Sequence, residues 1–328
     1  MSDVTLRETP LRFTTDLCED VAARQSDTLN LLPYAEALAE FIHDCETPIS
    51  IGIQGEWGIG RTSLMNMLRG NGRELSAGLL DTRQCLSISL DSWPYSQFDR
   101  ENNMAVACLY AITQNLGQAL QKDPGVDPAA LSALLEAASN RLVVVMQQIR
   151  ELTRGLAADD VDGNGYIDIS AQMLHFKEAF EKLVSLWTGG DEARRIVIFV
   201  DDLDRIRPVL ALELLEAIKN FIDVRGCVFV MTLDYQVVQR GMAEKMGRDL
   251  QKTSGKALFD KLIQLPFVVP TTSYQLDEYI IDLLSKSGLP CVINNELDES
   301  NRQFFLDITR FTVGRNPRSI KRVVNYTN

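Results

Sequence analysis

The stretch from Ile49 to Leu68, ISIGIQGEWGIGRTSLMNML, constrains the fold more than any other part of the sequence. Ile49–Ile53 is rich in β-branched residues and has no helical period, so it predicts a buried strand. A glycine-rich turn follows, and apolar residues then return at helical spacing. A strand, a glycine-rich turn and a helix in this order are the context that a phosphate-binding loop requires.

The glycine-rich turn, GEWGIGRTS, matches the pattern G-x-x-x-x-G-K-[ST] with Arg61 in the place of lysine. Its glycines let several backbone N–H groups converge on one anion, and the following helix adds the positive end of its dipole. Thr62 has the hydroxyl that a Mg²⁺ ion needs as a ligand. The predicted phosphate-contacting residues are Gly55, Glu56, Trp57, Gly58, Ile59, Gly60, Arg61, Thr62 and Ser63.

A second motif, RRIVIFVDDLDR at Arg194–Arg205, predicts a strand buried on both faces that ends in two carboxylates. Phosphoryl transfer needs a carboxylate at such a strand end to hold Mg²⁺, and a group beside it to position water. Asp201 fits the metal role and Asp202 the water-orienting role. The alternative is that the two aspartates begin a solvated loop or cap a helix.

The remaining periodicities predict strands that alternate with helices, which is typical of an α/β layer sandwich with a parallel sheet. We expect a core at residues 1–270 with a mainly helical insert at 102–187, and a C-terminal helical part at 271–328. The further predicted strands are Cys85–Leu90, Cys227–Leu233 and Leu265–Val269. The predicted helices are Leu31–Cys45, Ala105–Leu120, His175–Trp187, Leu212–Ile222, Gln275–Leu284, Asn301–Thr309 and one that begins at Asn316–Pro317.

The net charge of −12 argues against direct binding of nucleic acid, because such a surface repels polyanions on average. No stretch approaches the roughly 18 uninterrupted apolar residues of a membrane span, and the N-terminus has no signal-peptide pattern. The six cysteines are dispersed without a C-x-x-C pair, which favours free thiols in a reducing compartment. These observations predict a cytoplasmic protein with no membrane partner.

The run DVDGNGYIDIS at Asp160–Ser170 has two interpretations. Its acidic and amide residues follow the spacing of an EF-hand calcium loop, although Ala171 stands where a bidentate glutamate is needed. The Asn–Gly pair also predicts an ordinary polar turn at Gly163–Gly165, and we favour the turn.

With these motifs the sequence resembles the KAP family of P-loop NTPases, in the additional-strand class that includes AAA+ and STAND proteins. The likeness extends over Leu31–Asn325 and implies strand order 5-1-4-3-2, ATP as the nucleotide and a helical insert. Many relatives have membrane spans in this insert, whereas here the insert has charges throughout. The likeness is seen at Gly55–Ser63, Asp91–Ser96, Val200–Pro208, Lys261–Pro270 and Asn316–Asn325.

Position within these motifs implies further roles. Thr232 or Asp234 takes the place of a residue that senses the γ-phosphate, and Arg318 takes the place of a basic sensor or is an ordinary surface arginine. Arg205 either pairs with Asp204 or reaches a neighbouring subunit as an arginine finger. The predicted catalytic set is Asp202, Arg61, Asp234, Arg318 and Arg205.

Arg61 is the departure with the largest consequence, because a planar guanidinium is larger than the ammonium it replaces. We predict ATP binding with hydrolysis that is slow or depends on a partner. The leading hypothesis is a Mg²⁺-dependent ATPase that forms homo-oligomers and acts as a switch in bacterial anti-phage defence. The alternative is a catalytically weak nucleotide-binding scaffold that recruits an effector protein.

Overall fold

The computed structural model describes residues 27–70, 78–81, 84–97, 103–153, 164–246, 254–286, 292–293, 296–297 and 299–326. The chain divides into two compact units, one of which is Leu31–Pro270. The other comprises Thr271–Asn328 with the residues that precede Leu31, whereas the sequence-based division counts those residues with the core.

The first unit is built around a parallel sheet of five strands in the order β2-β3-β4-β1-β5. Read from the other edge the order is 5-1-4-3-2, so the α/β class and the predicted topology are confirmed. The strands are β1 (Ile49–Gln54), β2 (Cys85–Asp91), β3 (Arg195–Asp201), β4 (Cys227–Thr232) and β5 (Leu265–Val268).

Most helices of this unit lie close to the predicted positions, although α6 begins earlier than predicted. Periodicity did not single out α3, α5, α8 or α9, of which α5 lies in the insert that was predicted to be mainly helical. A π-helical turn, Ile218–Ile222, continues the seventh helix. The helices are α1 (Leu32–Asp44), α2 (Arg61–Arg69), α3 (Trp93–Gln97), α4 (Met104–Leu120), α5 (Pro128–Thr153), α6 (Asn164–Thr188), α7 (Pro208–Ala217), α8 (Tyr235–Met246) and α9 (Ser254–Leu262).

The central strands are apolar because both faces of the sheet are covered. Ile196, Ile198 and Val200 of β3 join a core formed with residues of helices α4 to α9. The alternate residues Val197 and Phe199 point to the opposite face and are fully buried as well. Continuous apolar runs such as that of β3 are therefore a requirement of a parallel sheet between two helical layers.

The helical insert consists of α4, α5 and α6, with α5 packed along α6 and against α4. By length and composition alone, α5 is the one helix among the described residues that could cross a membrane. In this structure it carries Glu136 and Arg141 and buries Leu131, Ala138 and Leu142. These three residues form one face of the helix, which is the pattern of a helix in a packed layer.

The favoured turn at Gly163–Gly165 is wrong, because α6 begins at Asn164 and continues through Gly165 without interruption. The calcium-loop interpretation fails over the same residues, since residues 164–171 are helical where the motif requires an irregular loop. Asp160 and Asp162 lie outside the described residues.

The second unit contains the helices α10 (Leu276–Lys286), α11 (Glu299–Thr312) and α12 (Pro317–Tyr326), with a short antiparallel pair, β6 (Val292–Ile293) and β7 (Glu296–Leu297). The Tyr279 hydroxyl on α10 donates a hydrogen bond to the Pro317 carbonyl at 3.3 Å, which joins α10 to the start of α12. Arg310 and Asp277 join α11 to α10 at 2.6 Å.

Candidate functional site

The phosphate-loop motif lies between β1 and α2, as its sequence pattern predicts. Gly58 and Gly60 have φ angles of 90° and 104°, which side chains beyond glycine rarely adopt. Gly60 precedes α2, and its carbonyl accepts the first helical hydrogen bond, from the Leu64 N–H at 2.9 Å. The loop therefore leads into a helix N-terminus, where backbone N–H groups and the helix dipole favour an anion.

The sheet order brings the predicted residues to one edge. β4 lies between β1 and β3, and all three strands are parallel. Their carboxyl ends therefore meet at the same edge, where open α/β sheets bind ligands. This edge carries the phosphate loop after β1, Asp201 and Asp202 at the end of β3, and Thr232 and Asp234 at the end of β4.

Asp201 is held by two hydrogen bonds to the same oxygen. Its Oδ1 atom accepts from the Thr232 hydroxyl at 2.5 Å and from the Asp202 backbone N–H at 2.9 Å. Thr232 is only 1% exposed, so its hydroxyl has a fixed partner inside the protein. A carboxylate anchored through one oxygen can offer the other to a metal ion in a defined direction.

The two candidate sensors at the end of β4 differ in burial and in contacts. Thr232 is buried and its hydroxyl donates to Asp201, and its role as a sensor stays a prediction. Asp234 is partly exposed, and its Oδ1 atom accepts a hydrogen bond from the Gln236 N–H at 2.9 Å at the start of α8. Its sensor role stays a prediction.

Asp202 has a conformation that is unusual for a residue with a side chain, with φ 61° and ψ 26°. Burial and the charge of Asp201 raise the pKa of Asp202 to about 6, against the opposing effect of Arg205. A carboxylate with a pKa nearer to neutral is a stronger base than an ordinary aspartate. The position and the raised pKa both suit the water-orienting role.

The predicted pair between Arg205 and Asp204 is wrong. Arg205 instead contacts Asp202, with its Nε atom 2.9 Å from Oδ1. Asp204 forms its ion pair with Arg61. The side chain of Arg61 is 7% exposed, and its Nη1 atom is buried without a hydrogen-bond partner among the described residues. The residue in the lysine position thus contacts the turn that follows β3.

The side chains at this sheet edge include the hydroxyl and carboxylate groups that a Mg²⁺–nucleotide complex requires. Thr62 is exposed at the start of α2, and Asp201 supplies a carboxylate at the same sheet edge. No group of three or more His, Cys, Asp or Glu side chains could hold a metal in the described ranges. This is expected, because Mg²⁺ in phosphoryl-transfer sites takes one or two protein ligands and completes its shell from phosphates and water. The Nη1 atom of Arg61 is a hydrogen-bond donor that finds no acceptor among the described residues.

Two other predicted site residues lie in the phosphate loop and at the start of α12. Trp57 is 49% exposed within the phosphate loop. Arg318 lies in the first turn of α12 in the second unit, where its backbone N–H donates to the Asn316 side chain at 3.1 Å. Its role as a basic sensor stays a prediction.

Replacing Thr232 with valine is expected to lower hydrolysis by about 10- to 100-fold, the usual cost of losing a group that orients a metal ligand. Valine keeps the volume but removes the donor to Asp201 and the acceptor for the Asp202 N–H. Affinity for ADP without Mg²⁺ is expected to stay unchanged, which phosphate release and calorimetry on the same preparation would show. A Thr232→Ser variant that retains the native rate is the matched control. An unchanged rate in Thr232→Val would contradict the orienting role.

Comparison with known proteins adds one finding. The model of a family described as the KAP family P-loop domain matches residues 32–327, which is nearly the whole chain. The matched range includes the phosphate loop, the Asp201–Asp202 pair and α12. A search of the curated proteins finds no match.

Proposed function

The chain belongs to the KAP family of P-loop domains, and on this premise we propose that it is a Mg²⁺-dependent ATPase. It binds ATP at the carboxyl edge of the sheet and hydrolyses the terminal phosphate, with a turnover that Arg61 keeps low. The nucleotide state acts as a switch for assembly in the cytoplasm.

The observation that carries this proposal is the pairing of two features at one sheet edge. The first is the phosphate loop with glycines in left-handed conformations. The second is the anchored Asp201 beside Asp202, whose pKa is raised to about 6. A loop alone is consistent with binding, whereas a base next to a metal-ligating carboxylate is what hydrolysis additionally requires.

Each residue has a role in the proposed reaction. Thr62 and Asp201 would hold Mg²⁺, which neutralises phosphate charge when it is bound. Asp202 orients the attacking water and accepts its proton. Arg205 keeps Asp202 in place through the 2.9 Å contact. The backbone N–H groups of the loop hold the phosphates, so catalysis depends on positioning more than on covalent chemistry.

The wider biological role is inferred from the family alone. Bacterial KAP proteins suggest a part in defence against phage, and an ATPase switch in that setting would act through homo-oligomers and an effector protein.

A nucleotide-binding scaffold with little turnover is the second candidate, and one observation favours it. Arg61, the cation of the phosphate loop, is buried in an ion pair with Asp204. A cation held in this way is not positioned to stabilise charge on the transferring phosphate. The two candidates share the binding site and differ in turnover.

Size-exclusion chromatography with light scattering, with and without ATP and Mg²⁺, would separate these candidates when phosphate release is measured on the same fractions. Turnover with a nucleotide-dependent change of mass is the result expected of the ATPase switch. Binding without turnover would support the scaffold. No binding of ATP at any concentration up to the millimolar range would contradict both.

Replacing Arg61 with lysine is expected to raise the hydrolysis rate about tenfold, which corresponds to about 1.4 kcal/mol of transition-state stabilisation. The compact ammonium fits between the β- and γ-phosphates, where the planar guanidinium does not. Steady-state phosphate release from both proteins measures the effect. A native rate equal to or above that of Arg61→Lys would show that arginine does not limit turnover.

A further inference from the structure

The ion pair between Arg61 and Asp204 joins two parts of the site that are 143 positions apart in the sequence. Arg61 is the first residue of α2 and belongs to the phosphate-loop motif, and Asp204 lies in the 3₁₀ turn Leu203–Arg205 after β3. The two side chains are 7% and 14% exposed. Both charges are therefore largely removed from water, where their attraction is stronger than at the surface.

The pair leaves the guanidinium incompletely bonded. Nη2 contacts Asp204, whereas Nη1 is buried and has no hydrogen-bond partner in the part of the chain that the structure describes. A buried donor without an acceptor is costly to maintain. The Arg61–Asp204 ion pair is therefore stabilised by charge attraction and destabilised by the missing hydrogen bond. A second anion near Nη1 would supply the missing acceptor.

We propose that the Arg61–Asp204 ion pair is a latch. While the pair is closed, Asp204 binds the guanidinium of the phosphate loop and prevents it from contacting the nucleotide. The carboxylate stands in for the phosphate that this cation would otherwise contact. The latch regulates the proposed nucleotide site and rests on that proposed function. It lowers the apparent affinity for nucleotide by the fraction of molecules in which the pair is closed.

Opening of the latch also affects Asp202, the residue that is proposed to orient water. Asp204 and Arg205 belong to the same short turn, and Arg205 contacts Asp202. A shift of this turn when Asp204 releases Arg61 would change the contact that holds Asp202. The latch thus couples the arrival of phosphate in the loop to the geometry at the end of β3.

The test compares the native protein with Asp204→Asn, Asp204→Glu and Asp91→Asn. Calorimetry measures binding of the nonhydrolysable analogue AMP-PNP with Mg²⁺, and thermal unfolding establishes that each variant folds. Asp204→Asn is expected to bind the analogue at least about tenfold tighter, because the closed population is lost. Asp204→Glu retains the charge and is expected to stay near the native affinity.

Asp91→Asn is the charge control. Asp91 pairs with Asp201 in the β2–β3 register, so its removal also takes one negative charge from this sheet edge without touching the latch. Its affinity is expected to stay within about twofold of the native value, since an exposed charge is screened by salt. Modification by phenylglyoxal, mapped by mass spectrometry without nucleotide, is expected to be slow at Arg61 in the native protein and fast in Asp204→Asn.

Three outcomes would overturn the proposal. Equal or weaker binding by Asp204→Asn, with Arg61 still protected from phenylglyoxal, would refute the latch. This result would leave the proposed nucleotide site unaffected. An equal gain in AMP-PNP affinity in Asp91→Asn would show that the effect comes from a general change in charge and not from the ion pair. Absence of binding by every folded variant would refute the proposed function, and the latch with it.

Discussion

Replacing Asp201 with asparagine is expected to lower ATP hydrolysis by at least about 100-fold, a loss typical of removing one preorganised electrostatic group. The carboxylate is the proposed Mg²⁺ ligand, and hydrogen bonds from Thr232 and the Asp202 N–H hold it in place. Asparagine keeps the shape and can still accept the Thr232 hydrogen bond, so the fold is preserved. What it loses is the negative charge that attracts the cation. Phosphate release measured across a Mg²⁺ titration would record the effect.

The control for this variant is Asp44→Asn. Asp44 ends α1 and precedes β1, at the amino edge of the sheet, and its side chain is 69% exposed. The Asp44→Asn variant removes one acidic charge at a position away from the proposed site, and we expect its rate of ATP hydrolysis to stay unchanged. Loss of activity in both variants would indicate that the change in net charge causes the loss. Retention of activity in Asp201→Asn would contradict the role of Asp201 as a metal ligand.

The sheet could be predicted from the sequence because its central strands are continuous apolar runs. Arg195–Asp201 and Cys227–Thr232 are such runs, and their burial on both faces is the pattern of the inner strands of a parallel sheet. The order of the strands came from family resemblance, since parallel pairings join residues far apart in the chain. The predicted turn at Gly163–Gly165 is wrong because α6 begins at Asn164, and packing of α6 on α5 outweighs a local turn preference.

The candidate site was predicted as a set of positions and not as a set of contacts. The loop glycines and the Asp201–Asp202 pair are visible because each motif is local in sequence. The Arg61–Asp204 ion pair joins residues 143 positions apart, and the Thr232–Asp201 hydrogen bond joins residues 31 apart. Such pairs depend on side-chain direction at the sheet edge. One signal was present: arginine in the lysine position, together with a third aspartate, Asp204, in D-D-L-D-R.

Replacing Asp202 with asparagine is expected to reduce hydrolysis at least about 100-fold and to make the protein more stable at pH 8. The activity falls because the amide cannot accept the proton of the attacking water. The stability rises because the native fold raises the pKa of Asp202 from 3.8 to about 6, mainly by burial and the charge of Asp201. Asparagine also tolerates the left-handed backbone at φ 61° at least as well as aspartate.

The sign of the stability change follows from proton binding. Between pH 3.8 and about 6 the folded state retains a proton that the unfolded state releases, so stability falls as the pH rises through this window. Above pH 6 the whole penalty is present, and its removal by Asp202→Asn is expected to add about 1 to 3 kcal/mol to the free energy of unfolding. Well below pH 3.8 both states are protonated and the pH-dependent gain disappears, so only a small part of it remains at pH 4.

Denaturant unfolding of both proteins at pH 8 and pH 4, with phosphate release measured between pH 5 and pH 8, would check both effects. The native hydrolysis rate is expected to rise with pH through about 6, as Asp202 ionises, and then to level off. A site arranged for catalysis holds a carboxylate in an environment that disfavours its charge, and the fold loses stability as a result. Asp202→Asn with unchanged activity and no gain in stability at pH 8 would show that Asp202 is an ordinary loop residue.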